Sequence, residues 1–264
     1  MPLFALSFLS CLAGLLLLLV SVSGTSASEN SWRELDQGLS LCEFHLDHGT
    51  ITVVRIDPEY WSFELACAKC EQTQAKAVHE WLKEKNFAAA INASMFKKDS
   101  LTSTGYMRAG KSVNNDHISS RFGAFFVANP DKADLASATL LERDSPNLAD
   151  TLAHYGLVIQ NYRLITRNRT VLWPAAGKKH AIAAVALDKD GHILFLYTNT
   201  DILPADFARA LVDLPLAIGT TMYVEGGSEA ALLFREGATV HARFAYFEPI
   251  LPNVLGIRKK TAQK

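Results

Sequence analysis

The stretch AIAAVALDKDGHILFLYT, residues 181–198, decides the reading of the fold. Two apolar runs flank Asp188-Lys189-Asp190-Gly191, and the glycine can supply the positive φ that closes a hairpin. Downstream, LPADFARALVDL (203–214) sets Phe207, Leu211 and Leu214 on one helical face behind Pro204, a residue suited to a first helical turn. GTTMYVEGGSEAALLF (219–234) then returns to an apolar strand that ends in Glu225. Strand, helix and strand in this order form a crossover, which places an acid where side chains from several strand ends converge.

Working toward the N-terminus, LCEFHL, ITVVRID and WSFELACA are β-branched or aromatic segments, separated by His48-Gly49 and by Asp57-Pro58-Glu59. They read as a strand meander. Residues 72–85 carry Ala75, Val78 and Leu82 at helical spacing and predict an amphipathic surface helix. FAAAINASMF and RFGAFFVANP are two further strand candidates, and residues 131–150 form a polar connection with a short helix. The tail RKKTAQK reads as a solvated, frayed end. Together these elements give an α+β fold: a single domain with a mixed, twisted β-sheet flanked by helices.

The chain has 264 residues, 49% hydrophobic and 20% charged, with a formal net charge of -1. This composition supplies a full hydrophobic core and removes any general electrostatic pull toward nucleic acid or an anionic membrane. The first thirty residues differ from the rest, since LSFLSCLAGLLLLLVSVSG is apolar and no charged side chain precedes Glu29. Residues 1–27 read as a secretory signal with cleavage after Gly24 or Ala27, which predicts a periplasmic or secreted protein with its domain in 28–264 and its core in about 45–250. The competing reading is an uncleaved membrane anchor.

Beyond the signal, Cys42, Cys67 and Cys70 remain, an odd count. The CAKC pair is open to three readings: a redox motif, half of a zinc site, or part of a disulfide with Cys42. No second metal-ligand pair is present, so structural bridging or a buried free thiol is favoured. His45, His48, His79, His117, His154, His192 and His241 are scattered without a metal-ligand pair, and Asp188 and Asp190 are accounted for by the hairpin. No metal or other cofactor is implied, although a divalent ion stays open.

The segment VEGGSEAAL (224–232) poses a separate question, because a buried strand runs into a carboxylate and two residues without side chains. A Gly-Gly pair lets the backbone turn sharply and lets a ligand approach the main chain. A tight strand-to-strand turn with a solvated Glu accounts for it equally well.

VEGGSEAAL resembles the Asp-Gly-Gly-x-Ser signature of the phosphodiester glycosidase family. Other segments match that family in the same order. INASMF (91–96) resembles Asn-Ala-Gly-x-Phe, followed by Gly105 and AGK (109–111). GAFFVANP (123–130) resembles a Gly-x-Phe strand, LVIQNYRLI (157–165) a Gln-Ser-Gly-Pro-x-Leu segment, and KKHAIAAVALDKDGHILFL (178–196) an Arg-x-x-x-Gly strand and hairpin. The resemblance covers residues 45 to 235 approximately. Departures stand beside the matches: Glu225 replaces Asp, Ser94 replaces Gly, Tyr162 and Arg163 replace Gly-Pro, His180 stands near the usual Arg, and Glu229 occupies the signature's Ser position.

The resemblance implies a hydrolase that cleaves a glycosyl phosphodiester, in exopolysaccharide or envelope metabolism. Such a reaction passes through an oxocarbenium-like centre and releases a phosphate monoester, so it needs a carboxylate at the anomeric carbon and donors to phosphate. Glu225 is the expected catalytic carboxylate, as base, nucleophile or electrostatic stabiliser, with Glu229 second. Arg163 and His180 are candidates to hold phosphate, with Arg121 a third. Asn92 and Gln160 offer amide groups to the substrate, Gly226, Gly227 and Ser228 shape its approach, and Tyr106 and Phe96 could wall the sugar. The expected partner is a glycosyl phosphate or polysaccharide. The alternative is a carbohydrate-binding protein on the same fold without turnover, and a third reading is a structural envelope protein.

Overall fold

The computed structural model describes residues 31–47 and 49–261; the expected signal segment lies outside them. Strand accounts for 50% of the chain and helix for 11%, so the fold is mostly β. An 11-stranded sheet and a 5-stranded sheet dominate it.

The hairpin at 181–198 forms as its residues dictate. Strands His180–Asp188 and Ile193–Ile202 pair antiparallel, and Gly191 takes φ +88 at the turn. Both strands are buried on both faces, which is why they read as continuous apolar runs. Ala181, Ala183 and Val185 face one core cluster, while Ile182, Ala184 and Ala186 face another. The first cluster joins the large sheet to the five-stranded sheet, whose Ile91, Leu232, Phe234, Leu255 and Ile257 point into it. The second cluster is covered by helix Pro204–Asp213 through Phe207, Ala208 and Leu211. On the outer face of the five-stranded sheet, helix Val78–Glu84 packs Trp81 and Leu82 against Ala231, Leu233 and Val254. The order of layers is helix, small sheet, large sheet, helix.

Four expectations change. Every strand pairing among the described residues is antiparallel, so the mixed sheet of an α+β fold gives way to two facing antiparallel sheets with helices on the outer faces. The three-strand meander is only a hairpin: Leu39–Leu46 pairs Gly49–Ile56, whereas Trp61–Cys67 joins the other sheet against Asn253–Lys259. The helix expected from residue 72 begins at Val78, after Gln72 takes φ 55 and Lys76–Ala77 forms a short strand. Arg258 and Lys259, read as part of a frayed tail, close the strand Asn253–Lys259.

The crossover does form. Strand Ile193–Ile202 and strand Ile218–Gly226 both pair antiparallel to His180–Asp188, one on each side, and helix Pro204–Asp213 connects them. Cys67 and Cys70 are disulfide-bonded to each other, and Cys42 is the odd thiol, buried in the core, where burial pushes its pKa up. The CAKC segment is therefore a local staple, and Cys42 packs as a small apolar residue.

Candidate functional site

Strand Ile218–Gly226 runs between two neighbours. On one side Tyr162 pairs Tyr223 and Arg163 pairs Met222; on the other Ala183 pairs Glu225 and Ile182 pairs Gly226. A register shift between Ala183 and Ala184 leaves Val224 as an extra residue, a bulge that bends the strand just before Glu225. Glu225 is 9% exposed, and its Oε1 accepts a hydrogen bond from the Gly226 N–H at 3.0 Å. Burial raises its pKa from the ordinary carboxylate range to about 8, the nearby Glu229 adds to the rise, and the Gly226 bond opposes it. Near neutral pH Glu225 carries a proton.

The two glycines have different reasons. A Cβ at Gly226 would meet the Tyr223 hydroxyl and stand 2.6 Å from His180 Cε1, so the position has no room for a side chain. Gly227 takes φ +73, which side chains disfavour, and starts the single turn Gly227–Glu229. Ser228 donates its hydroxyl to Glu229 Oε2 at 2.8 Å. Gly226→Ala is expected to cost about 1–3 kcal/mol of stability through overpacking, measured by urea unfolding. A variant as stable as the parent would mean that Tyr223 and His180 move aside freely.

Asn92 fixes this turn from beneath. Its Nδ2 donates to the Glu229 carbonyl at 2.8 Å, and its Oδ1 accepts from the Ala231 N–H at 2.7 Å. At 1% exposure, with both ends of its amide bonded to backbone, it holds the turn in place. Gln160 has a comparable setting. It is fully buried, its Nε2 donates to the carbonyls of Ser119 and Phe122, and its Oε1 accepts from the N–H groups of Ser119 and Tyr106. With both ends of the amide engaged, it ties the 119–122 loop to its strand. Tyr106 packs with the core around Phe125 and does not wall the site.

His180 borders Gly226, and its Nδ1 lies 2.8 Å from the Ala181 carbonyl. A carbonyl only accepts, so Nδ1 carries the proton and Nε2 of the neutral ring remains an acceptor. Arg163 sits further along, with Nη1 at 3.0 Å from Glu142 and 2.7 Å from Asp144. Its charge is already committed to carboxylates, and its buried Nε has no hydrogen-bond partner among the described residues.

Sequence reasoning missed an aromatic row. Phe122, Tyr162, Trp173 and Tyr223 follow one another at centroid separations of 4.4, 5.2 and 5.0 Å, and His180 lies 6.3 Å beyond Tyr223. The row leads from the Glu225 turn to a cavity of about 680 Å³ lined by Tyr162, Trp173, Arg121, Arg143, Arg163 and Asp144. No periodic signal marks it, since its members come from four separate segments. A second cavity, of about 570 Å³, opens beside Ser228 and Glu229 and includes Phe96, as expected for a wall residue, together with Tyr246 and Phe247. Elsewhere the hairpin turn gathers Asp188, Asp190 and His192 within 4.8 Å, but both Asp188 oxygens already accept hydrogen bonds from the turn itself or lie against His192 Nδ1.

The site is thus a buried carboxyl at a strand end, followed by a glycine-built turn that borders one cavity at Ser228 and Glu229. The phosphodiester glycosidase family model matches residues 85–258, and the chain belongs to that family. Among solved structures, a hypothetical protein from Synechocystis is similar at TM-score 0.61 and 12% identity over 85% of this chain, which spans 62% of that protein. The zebrafish N-acetylglucosamine-1-phosphodiester alpha-N-acetylglucosaminidase catalytic domain, auto-inhibited by its pro-peptide, is similar at TM-score 0.60 and 13% identity, over 84% of this chain and 82% of that one. A putative exported protein from Burkholderia pseudomallei follows at TM-score 0.51 and 11% identity, over 83% and 74%. At these identities the likeness is one of fold. No curated protein matches the sequence.

Proposed function

We propose that the protein hydrolyses a glycosyl phosphodiester. Water adds to the anomeric carbon, the C1–O bond to phosphate breaks, and the products are a free sugar and a phosphate monoester. The observation that carries this reading is the buried Glu225 near Glu229 at a glycine-built turn, in a chain of this family.

A pair of carboxyl groups in unequal environments divides into acid and base. Glu225 donates its proton to the phosphate oxygen that leaves with the aglycone, and while neutral it does not repel the phosphodiester anion. Glu229, half-buried and bonded to the Ser228 hydroxyl, is the carboxylate that takes a proton from water or steadies the oxocarbenium-like centre. His180, with its free Nε2, borders the same turn and orients a sugar hydroxyl or water. The glycone suggested by the zebrafish neighbour's name is N-acetylglucosamine, and the protein works outside the cytoplasm with residues 1–27 as its export signal.

The test is turnover of a panel of sugar-1-phosphodiesters by the purified protein, with and without divalent metal, reading sugar and phosphate monoester. Release of both in equal amounts is expected. Saturable binding without release would replace this reading with a glycan-binding role, and no binding with a structural one.

A further inference from the structure

One ligand-sized cavity borders the Glu225–Glu229 turn at Ser228 and Glu229, a second lies beyond Tyr223 and Trp173, and the two differ in charge. The second, of about 680 Å³, carries Arg121 and Arg143 beside Arg163, whose charge is taken up by Glu142 and Asp144. Among the described residues Arg121 and Arg143 have no ion-pair partner. The other, of about 570 Å³, has Glu229 and Glu248 as its charged lining residues, and its mouth is formed by Tyr246 and Phe247, 72% and 85% exposed. Aromatic side chains this exposed are unfavourable in water unless a ligand covers them. Each cavity alone falls in the range that encloses a small ligand. A single glycosyl phosphate would fill one cavity and leave the other empty.

We propose, on the basis of the phosphodiester-cleaving reading, that the substrate is a polymer of sugar residues joined through anomeric phosphate, bound across the turn in both cavities. Its phosphate-bearing aglycone lies in the arginine cavity, where guanidinium groups meet phosphate in a matching fork. The glycone sugar at the cut bond, whose ring carries no charge, stacks on the faces of Tyr246 and Phe247 beside Glu229 and Glu248, and the polymer's next phosphate lies beyond it. The charge difference sets the direction of the chain: the phosphate of the bond being cut is drawn to the arginine cavity, and a neutral sugar ring is the part of the polymer placed beside the acids. The bond presented to Glu225 is then an internal one. Hydrolysis leaves a new reducing sugar on one fragment and a phosphate monoester on the other, with one water consumed per cut.

Glu225→Gln holds substrate without cutting it and allows binding to be read apart from chemistry. Synthetic hexose-1-phosphate oligomers of one, two and four repeats are titrated into this variant calorimetrically. Affinity is expected to rise about tenfold or more from one repeat to four, and most of that gain should vanish when Phe247→Ala or Arg121→Ala is added. With the parent protein, two-repeat fragments should appear early from the four-repeat oligomer. Affinity independent of length, or a length gain untouched by Phe247→Ala, would overturn the two-sided binding even if short diesters are cleaved. Length-dependent binding that both substitutions weaken, without any hydrolysis by the parent, would support the binding mode and remove the hydrolytic reading instead.

Discussion

Glu225→Gln is expected to lower kcat by about 10²- to 10⁴-fold, the usual worth of a positioned acid, with substrate affinity nearly kept. Gln has the shape of the protonated acid and can still offer an N–H, but it has no proton to give. The parent should lose activity as the pH rises through about 8, where the buried carboxyl gives up its proton. Activity that instead rises across the same interval would make Glu225 a base or nucleophile. Activity retained by the variant would remove it from the chemistry altogether.

The same proton makes a stability prediction of definite sign. Between the ordinary value of 4.5 and about 8 the native protein holds a proton that the unfolded chain has released. The contribution is therefore fully present below pH 4.5, falls as pH rises, and is gone above about 8. At about 1.4 kcal/mol per unit the loss is on the order of a few kcal/mol. Glu225→Gln lacks this slope. Its urea stability relative to the parent should improve steadily from pH 5 to 8.5, and parallel curves would place the parent's carboxyl in solvent.

Much of this site was legible from local sequence. The hairpin at 188–191, the helix at Pro204 and the Gly-Gly turn all follow from residue types with narrow backbone preferences, and the structure has each of them. What was not legible depends on contacts distant in sequence. Trp61–Cys67 looked like the third strand of a meander because nothing in it specifies a partner, and its partner Asn253–Lys259 lies almost at the other end of the chain. Asn92 and Gln160 stand out in the sequence as amides within apolar runs. Their role became clear only when each amide was seen to bond backbone groups it holds in place. Trp173, in an exposed loop segment, gave no signal, yet it joins Tyr162 to Tyr223.

Glu142 is the largest case of this kind, because it lies in the stretch 131–150 that reads as a polar connection. It ends an unexpected strand, Ala138–Glu142, and is 4% exposed. Its carboxylate accepts from the Arg167 N–H at 2.5 Å, the Arg167 Nε at 3.0 Å and the Thr220 hydroxyl at 2.9 Å, with Arg163 Nη1 also at 3.0 Å. One buried charge thus links three strands, including the one that ends in Glu225. Glu142→Ala removes the acceptor and leaves the guanidinium of Arg163, which is 17% exposed, with only the solvent-facing Asp144 as a carboxylate partner. Removing one partner of a buried ion pair costs about 3–5 kcal/mol, and urea unfolding of Glu142→Ala should show a loss of that size. Glu142→Gln keeps the volume and one acceptor oxygen, so it should fall between the two. A loss below about 1 kcal/mol for Glu142→Ala, the worth of a surface pair, would mean that water replaces the carboxylate and that the strands behind the site are held by packing alone.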